Sequence, residues 1–247
     1  MQAMGFPHFR YQTVSSTNDV ARELLRQFPC VFVSALFQTR GRGRHGRSWF
    51  GEFGNNVYCS LGIRHAHLLS ASEAASYLAL GALALWETVS TLTTAPEMFR
   101  VKYPNDLLGR CPDGIWRKLA GVLVEHIRKP TEQLTIIGIG LNVRQTSFPP
   151  SLVESATSLA LLGFDIAPEE ALQHLKGSLE ALSSTSPAEL LQRWRAVLKL
   201  EGQRLLVQGK PGIWTARRLL DDGRLEIEHC GMRTFVTDGD SIRYVFD

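Results

Sequence analysis

Apolar positions along the chain follow two rhythms. Behind the polar opening Ser16-Thr17-Asn18-Asp19, the residues Val20, Leu24, Leu25 and Phe28 share one helical face. Phe28-Pro29 closes that helix, because the residue before a proline is pushed out of the helical region. The next run, 31–37 (VFVSALF), and a second at 56–63 (NVYCSLGI) are β-rich. A helix leading straight into a buried strand predicts mixed α/β layers. Ser70 and Glu73 have capping-box spacing and open a long helix to about Val89. Further strands are expected at 99–103, 118–126 and 134–139, the last two joined by a short polar turn as in an antiparallel pair. Two more helices, from Pro168 to about Leu182 and from Pro187 to about Leu198, each begin with proline near the first position and acids in the first turn.

Beyond Leu200 the texture changes. Short β-like runs at 204–207, 213–219, 225–228, 234–236 and 241–246 alternate with the turn signals Gly209-Lys210-Pro211, Asp221-Asp222-Gly223 and Asp238-Gly239-Asp240. Five short strands predict a small closed β-barrel docked on the main domain, dividing the chain into 1–199 and 200–247. The length of 247 residues with 44% hydrophobic content supports a real core and argues against disorder. The apolar stretch 74–86 is short of the ~18 residues a membrane span needs, and the start MQAMGFPHFRYQ has no apolar signal region. Cys30, Cys59, Cys111 and Cys230 lie far apart without a C-x-x-C pair, which reads as reduced, cytoplasmic chemistry.

Charge is local. The net charge is only +3, yet Arg40, Arg42, Arg44 and Arg47 fall within one short segment, which suits a defined anionic ligand better than a general nucleic-acid surface. In that segment, 38–49, glycines let main-chain N–H groups approach an anion while guanidinium groups make planar multi-donor contacts. A solvated loop or an arginine-glycine RNA tract is the plainer alternative. Lys102-Tyr103-Pro104-Asn105-Asp106 ends a predicted strand, and by itself fits an ordinary turn beside a solvent-facing lysine. Lys118 stands at the mouth of a strand whose Ala120-Gly121 would let a ligand lie against the backbone, or it is simply a charged strand end. Gly138-x-Gly140-x-Asn142 is an incomplete dinucleotide fingerprint with no helix to follow, leaving Asn142 to bond an adenine edge or form a turn. The chain has no P-loop and no G-x-S-x-G elbow, and His65 with His67 is too few ligands for a metal.

Taken together, Ser16-Thr17-Asn18, Gln38, Gly41-Arg42-Gly43-Arg44-x-Gly46-Arg47-x-Trp49, Lys102-x-Pro104-Asn105-Asp106, Lys118-Leu119-Ala120-Gly121 and Gly138-x-Gly140-x-Asn142 resemble biotin protein ligases in order and spacing. The likeness runs from about residue 10 to the C-terminus and reverses the bland readings of Lys102 and Lys118. It implies a mixed sheet flanked by helices, related to class II aminoacyl-tRNA synthetases, with an SH3-like C-terminal barrel. It also implies ATP and biotin as substrates, with Mg²⁺ accompanying ATP; no structural metal is expected, since His65 and His67 lack a third ligand. Biotin is activated as biotinyl-5'-AMP and passed to one lysine of a biotin carboxyl carrier protein, as of acetyl-CoA carboxylase.

By that resemblance Ser16, Thr17, Asn18 and Gln38 bind biotin's ureido ring, with Arg42, Gly43, Arg44, Lys118 and Gly121 completing the biotin site. Arg42, Arg44, Trp49, Lys102, Asn105, Asp106, Lys118 and Asn142 hold ATP or the adenylate, and Asp106 is the candidate Mg²⁺ ligand. Lys118, Arg44 and Lys102 are the catalytic expectation, and the arginine loop closes over its ligands. His45 stands where the family often has arginine, and Tyr103 replaces a common tryptophan. The segment 107–116 is expected to be a mobile hairpin tip. A homodimer is compatible with the resemblance. With no room for an N-terminal helix-turn-helix, specific DNA binding is not expected, nor is a membrane. The rival readings are a lipoate or octanoate ligase or transferase of the same superfamily, and a noncatalytic nucleic-acid binder.

Overall fold

A computed structural model describes residues 5–128, 130, 132–237 and 239–245. In chain order the larger N-terminal portion contains strand β1 (His8–Val14), helix α1 (Thr17–Leu24), β2 (Cys30–Gln38), β3 (Asn56–His65), α2 (Ala71–Thr93), β4 (Phe99–Lys102), β5 (Asp106–Arg110), β6 (Trp116–Arg128) and β7 (Gln133–Asn142). Helices α3 (Pro168–Leu182) and α4 (Pro187–Leu198) follow. The strands form one mixed sheet in the order β1-β2-β3-β7-β6-β5-β4, with β1 parallel to β2 and every other neighbour antiparallel.

The central strand β7 separates two environments. Its residues Ile137, Ile139 and Leu141 enter the main core beneath α2, while Ile136, Gly138 and Gly140 alternate to the α1 side. Helix α2 lies close to the sheet because Gly81 carries no side chain: a Cβ there would sit 2.8 Å from Val122 Cγ1 and 2.9 Å from Ile137 Cγ2. Its N-terminus is the capping box expected of Ser70 and Glu73, and α3 and α4 pack on its outer side. On the opposite face α1 closes a smaller core of Ala21, Leu25, Val31, Val33, Leu134 and Ile136. No helix among the described residues is long and apolar enough to cross a membrane.

The C-terminal strands are β8 (Arg204–Val207), β9 (Ile213–Leu219), β10 (Leu225–His229), β11 (Met232–Val236) and β12 (Ile242–Tyr244). They form an antiparallel sheet in the order β11-β10-β9-β8-β12. Among the described residues no ladder joins β11 to β12, so the strand pairing describes a five-stranded antiparallel sheet and does not itself close the expected barrel. The chain enters a one-turn 3-10 helix at Gly239–Ser241 instead of extending the β11 edge, and β12 spends its three residues on β8. Asp238 of the expected turn and Phe246 of the expected last strand lie outside the described residues. This sheet abuts the turn after β4. Tyr103 stacks on Trp194 at 6.3 Å and its hydroxyl lies 2.8 Å from Gly223 O and 3.1 Å from Val236 O. Tyr103, which stands in place of the family's common tryptophan, thus ties the two sheets together.

Other boundaries move for physical reasons. Helix α1 stops at Leu24, with Phe28 in the following turn, and α2 continues to Thr93. The hairpin tip expected over 107–116 shrinks to 111–115, because β5 and β6 pair from Asp106 opposite Gly121 to Arg110 opposite Trp116. Asp106 is therefore a strand residue, and the turn is confined to Tyr103, Pro104 and Asn105.

Candidate active site

The motif residues lie on elements that the sheet brings into register. Lys102 pairs with Asp106, Asp106 with Gly121, Gly121 with Gly140, and Gly140 with Tyr58, a single row across five strands. The glycines of β6 and β7 at this site are spacers. A Cβ on Gly140 would meet the Trp49 indole at 2.6 Å, one on Gly121 would meet Lys118 Cε at 3.1 Å, and one on Gly138 would lie 2.3 Å from Asn18 Oδ1. The G-x-G of β7 is thus a trough in the sheet surface that admits side chains from α1 and the arginine loop.

Above this trough is a cavity of about 500 Å³. Ser16, Thr17, Asn18, Gln38, Arg42, Gly43, Arg44, Trp49, Lys102, Asn105, Asp106, Lys118, Gly121 and Asn142 all line it. Arg47 joins them, whereas Arg40 does not. At one end the floor is neutral and polar. Ser16 is the N-cap of α1 by position, but its side chain makes no cap bond. The free Thr17 N–H donates instead to Gln38 Oε1 at 2.8 Å, which ties the helix start to the end of β2. Ser16, Thr17 and Asn18 are each under 5% exposed.

The middle of the cavity is ionic. Lys118 Nζ lies 2.6 Å from Asp106 Oδ1 and 5.5 Å from the Trp49 ring centroid. The loop folds back on itself through Trp49 N to Gly41 O at 2.9 Å and Gly43 N to Arg47 O at 2.7 Å. His45 adopts the left-handed conformation at φ 55°, followed by Gly46 at φ 71°, which turns the loop's tip. Arg44 Nη1 donates to Asn105 Oδ1 at 3.1 Å, and Asn105 Nδ2 donates to Val122 O. Arg42 makes a two-pronged contact with Asp19, both at 2.8 Å. The Arg42 guanidinium holds the Asp19 carboxyl below the usual carboxylate range, and Asp19 in turn raises Arg42.

The far end is walled by residues that the sequence reading missed. Leu108 and Trp116 come from the β5–β6 hairpin, and Phe148, Leu152, Ser155 and Ala156 from the segment after β7. That segment is held by backbone bonds on both sides of Lys118, from Lys118 N to Ser155 O at 2.8 Å and from Thr157 N to Lys118 O at 2.9 Å. Asn142 Nδ2 donates to Thr157 O, while Asn142 Oδ1 and Trp49 Nε1 are buried without a hydrogen-bond partner. Unsatisfied polar atoms on a cavity wall are groups that a bound base or ring can complete. Glu125, also missed, accepts from Asn18 Nδ2 at 2.7 Å. Its signal lay in the alternation of 121, 123 and 125, which shares a face with Gly121. Among the described residues no group of three or more His, Cys, Asp or Glu could hold a metal.

A neutral hydrogen-bonding floor beside a belt of lysine and arginine suits an acid with a polar head, meeting a second, anionic substrate. That is the arrangement an acid-activating ligase requires. The model of the biotin/lipoate A/B protein ligase family matches residues 11–142. The chain is 32% identical over 223 residues to the biotin–[acetyl-CoA-carboxylase] ligase of Mycobacterium tuberculosis, covering 86% of this chain and 78% of that protein. It is 29% identical over 231 residues to the bifunctional ligase/repressor BirA of Escherichia coli, covering 89% of this chain and 68% of the relative. Among solved structures, the biotin protein ligase from Aquifex aeolicus in complex with biotin and ATP has a TM-score of 0.72 at 23% identity, with 97% of this chain and 99% of that chain covered. The Leishmania major biotin protein ligase in complex with biotinyl-5-AMP gives 0.64 at 23%, covering 94% and 99%. The chain belongs to the biotin/lipoate A/B protein ligase family.

Proposed function

We propose that the protein activates biotin with ATP and transfers it to a lysine of a biotin carboxyl carrier protein. A biotin carboxylate oxygen attacks the α-phosphorus of ATP, the bond to pyrophosphate breaks, and biotinyl-5'-AMP forms. The ε-amine of the carrier lysine then attacks the acyl carbon, AMP leaves, and the nitrogen loses a proton to give the amide. The observation that carries this reading is the convergence of five separate motifs on one cavity with a polar floor and a cationic middle.

In this reading Ser16, Thr17, Asn18 and Gln38 bond the ureido ring, whose buried polar atoms need directional partners. Lys118 reaches the carboxylate and the α-phosphate, exchanging its contact with Asp106 for the substrate anions. Lys102 stabilises negative charge developing nearby, and Arg44, turned by Asn105 toward the same region, retains the intermediate. Trp49 and Asn142 face the adenine with their unsatisfied atoms. Arg42 leaves or shares its Asp19 partner when the loop closes, since clustered guanidinium groups settle best around an anion. Mg²⁺ bound with the triphosphate would supply charge neutralisation there, and Asp106 is the carboxylate that would hold it, in keeping with an ion usually bound by one or two carboxylates plus substrate phosphates. The sheet beyond residue 200 acts as a second unit that buttresses the Tyr103–Asn105 turn from outside the cavity. Four free cysteines suit a reducing cytoplasm.

An octanoyl or lipoyl acid would leave the floor's donors and acceptors buried and unmatched, so the polar floor favours biotin. The test is incorporation of labelled pyrophosphate into ATP with biotin, lipoate or octanoate as the acid. Exchange with biotin alone supports the reading. Exchange with octanoate or lipoate but not biotin refutes it.

A further inference from the structure

One acid links the cavity floor to the arginine loop. Glu125 Oε2 accepts from Asn18 Nδ2 at 2.7 Å, while Glu125 Oε1 lies 3.7 Å from Nη2 of Arg42 and 3.7 Å from Nη2 of Arg22. Beyond Asn18 the chain of contacts continues. Asn18 Oδ1 lies 2.6 Å from Ser60 Oγ, Ser60 Oγ lies 2.7 Å from Thr17 Oγ1, and Thr17 Oγ1 lies 3.2 Å from Gln38 Oε1. Ser60, Thr17 and Asn18 are all buried. Glu125 itself does not line the cavity.

Counting protons along this chain fixes its direction. A carboxylate can only accept, so Asn18 must turn its NH₂ toward Glu125 and its Oδ1 toward Ser60. Ser60 has one proton, and Asn18 Oδ1 cannot donate, so Ser60 donates to Asn18. Thr17 must then donate to Ser60, which leaves Gln38 Oε1 with the Thr17 backbone N–H as its donor. The Gln38 amide is oriented separately, because its Oε1 accepts from the Thr17 backbone N–H and its Nε2 therefore points the other way. Replace the carboxylate with a group that both donates and accepts, and Asn18 can turn over. Two proton orders then compete across the floor, only one of which suits a given ligand.

We infer that Glu125 is a positioning residue that fixes the donor and acceptor pattern of the acid-binding floor, selecting a ring that bears both N–H and C=O groups without touching it. The inference rests on the biotin reading above and adds the device that enforces selectivity. Glu125→Gln keeps shape and removes the obligatory acceptor. In the pyrophosphate-exchange assay it raises KM for biotin by about 10- to 100-fold, the loss expected when a charge-assisted bond is no longer enforced. KM for ATP and kcat at saturating biotin stay within about twofold, a split that a general loss of folding does not produce. Ser60→Ala breaks the same chain one link further on, so Glu125→Gln/Ser60→Ala is no worse than the weaker binding of the two single variants. An unchanged KM for biotin in Glu125→Gln, or full additivity of the two changes, overturns the inference. So does a fall in kcat together with the melting temperature at constant KM, which makes Glu125 a purely structural residue. Failure of the unsubstituted protein to exchange pyrophosphate with biotin instead refutes the ligase reading on which the relay rests.

Discussion

Gly138→Ala introduces one methyl group where Asn18 already stands. The added Cβ would lie 2.3 Å from Asn18 Oδ1, 3.0 Å from Cγ and 3.1 Å from Nδ2, so the amide must retreat by roughly 1 Å to reach ordinary contact. Asn18 cannot retreat without breaking its bonds of 2.6 Å to Ser60 and 2.7 Å to Glu125, and it is only 4% exposed. Losing one neutral and one charge-assisted hydrogen bond costs about 2–4 kcal/mol. The narrower unfolded ensemble of alanine offsets about 0.4–1 kcal/mol of this. The net expectation is a destabilisation of ~2–3 kcal/mol, or a melting temperature lower by roughly 4–12 °C for a chain of this size. Gly177→Ala supplies the opposite sign as a control. Gly177 lies within α3 and a Cβ there meets nothing within 4 Å, so alanine stabilises by up to ~1 kcal/mol through helix propensity. Both are read by thermal unfolding followed by circular dichroism, with biotin-dependent exchange measured in parallel. A Gly138→Ala protein as stable as the unsubstituted one, with the same KM for biotin, would refute the packing argument for the β7 trough.

Lys118→Ala should lower pyrophosphate exchange by ~10²–10³-fold, the effect of deleting one preorganised charge at a developing anion, and near-normal exchange would remove Lys118 from that role. Arg44→Gly should release biotinyl-5'-AMP and label bystander lysines on an unrelated protein; strict carrier labelling in that variant contradicts retention by Arg44. Stability should fall in mild acid. Burial holds His65 and His126 below the ordinary histidine value, each with a ring nitrogen 3.0 Å from the shared Thr135 Oγ1. The unfolded chain binds their protons first, so this contribution is complete above about pH 6.5 and is lost as pH falls through the lower folded values. Melting temperatures from pH 8 to 5 check it, and His126→Gln should flatten the slope; an identical slope in that variant contradicts the assignment.

Elements with a continuous pattern were legible and elements defined by distant partners were not. The apolar run 134–139 read as a strand, and the Ser70–Glu73 box announced α2. Strand β1, HFRYQTV, escaped because it is a half-exposed edge strand without alternation, whose partner, β2, lies beyond a helix. Strand β5 escaped because DLLGR contains a glycine and two charges; Gly109 is there because a Cβ would lie 2.5 Å from Leu162 Cδ1. For the site, local chemistry named the arginine loop, but it gave Lys102 and Lys118 no special weight. Their importance is a matter of sheet register, the Lys102–Asp106–Gly121–Gly140 row, which no single segment displays. The resemblance supplied that long-range information by presenting all the motifs at once. The histidines illustrate the converse. His65 and His67, dismissed as too few for a metal, are joined through Thr135 and Tyr77 by a third, His126, in a hydrogen-bonded and aromatic cluster.

The most direct measurement mixes the purified protein with biotin, ATP, Mg²⁺ and a biotin carboxyl carrier domain, and follows the intact mass of the carrier. The account predicts the gain of one biotinyl group, on one lysine, dependent on both ATP and biotin and abolished by Lys118→Ala. A carrier that gains no mass with biotin, or gains an octanoyl or lipoyl group instead, would contradict it.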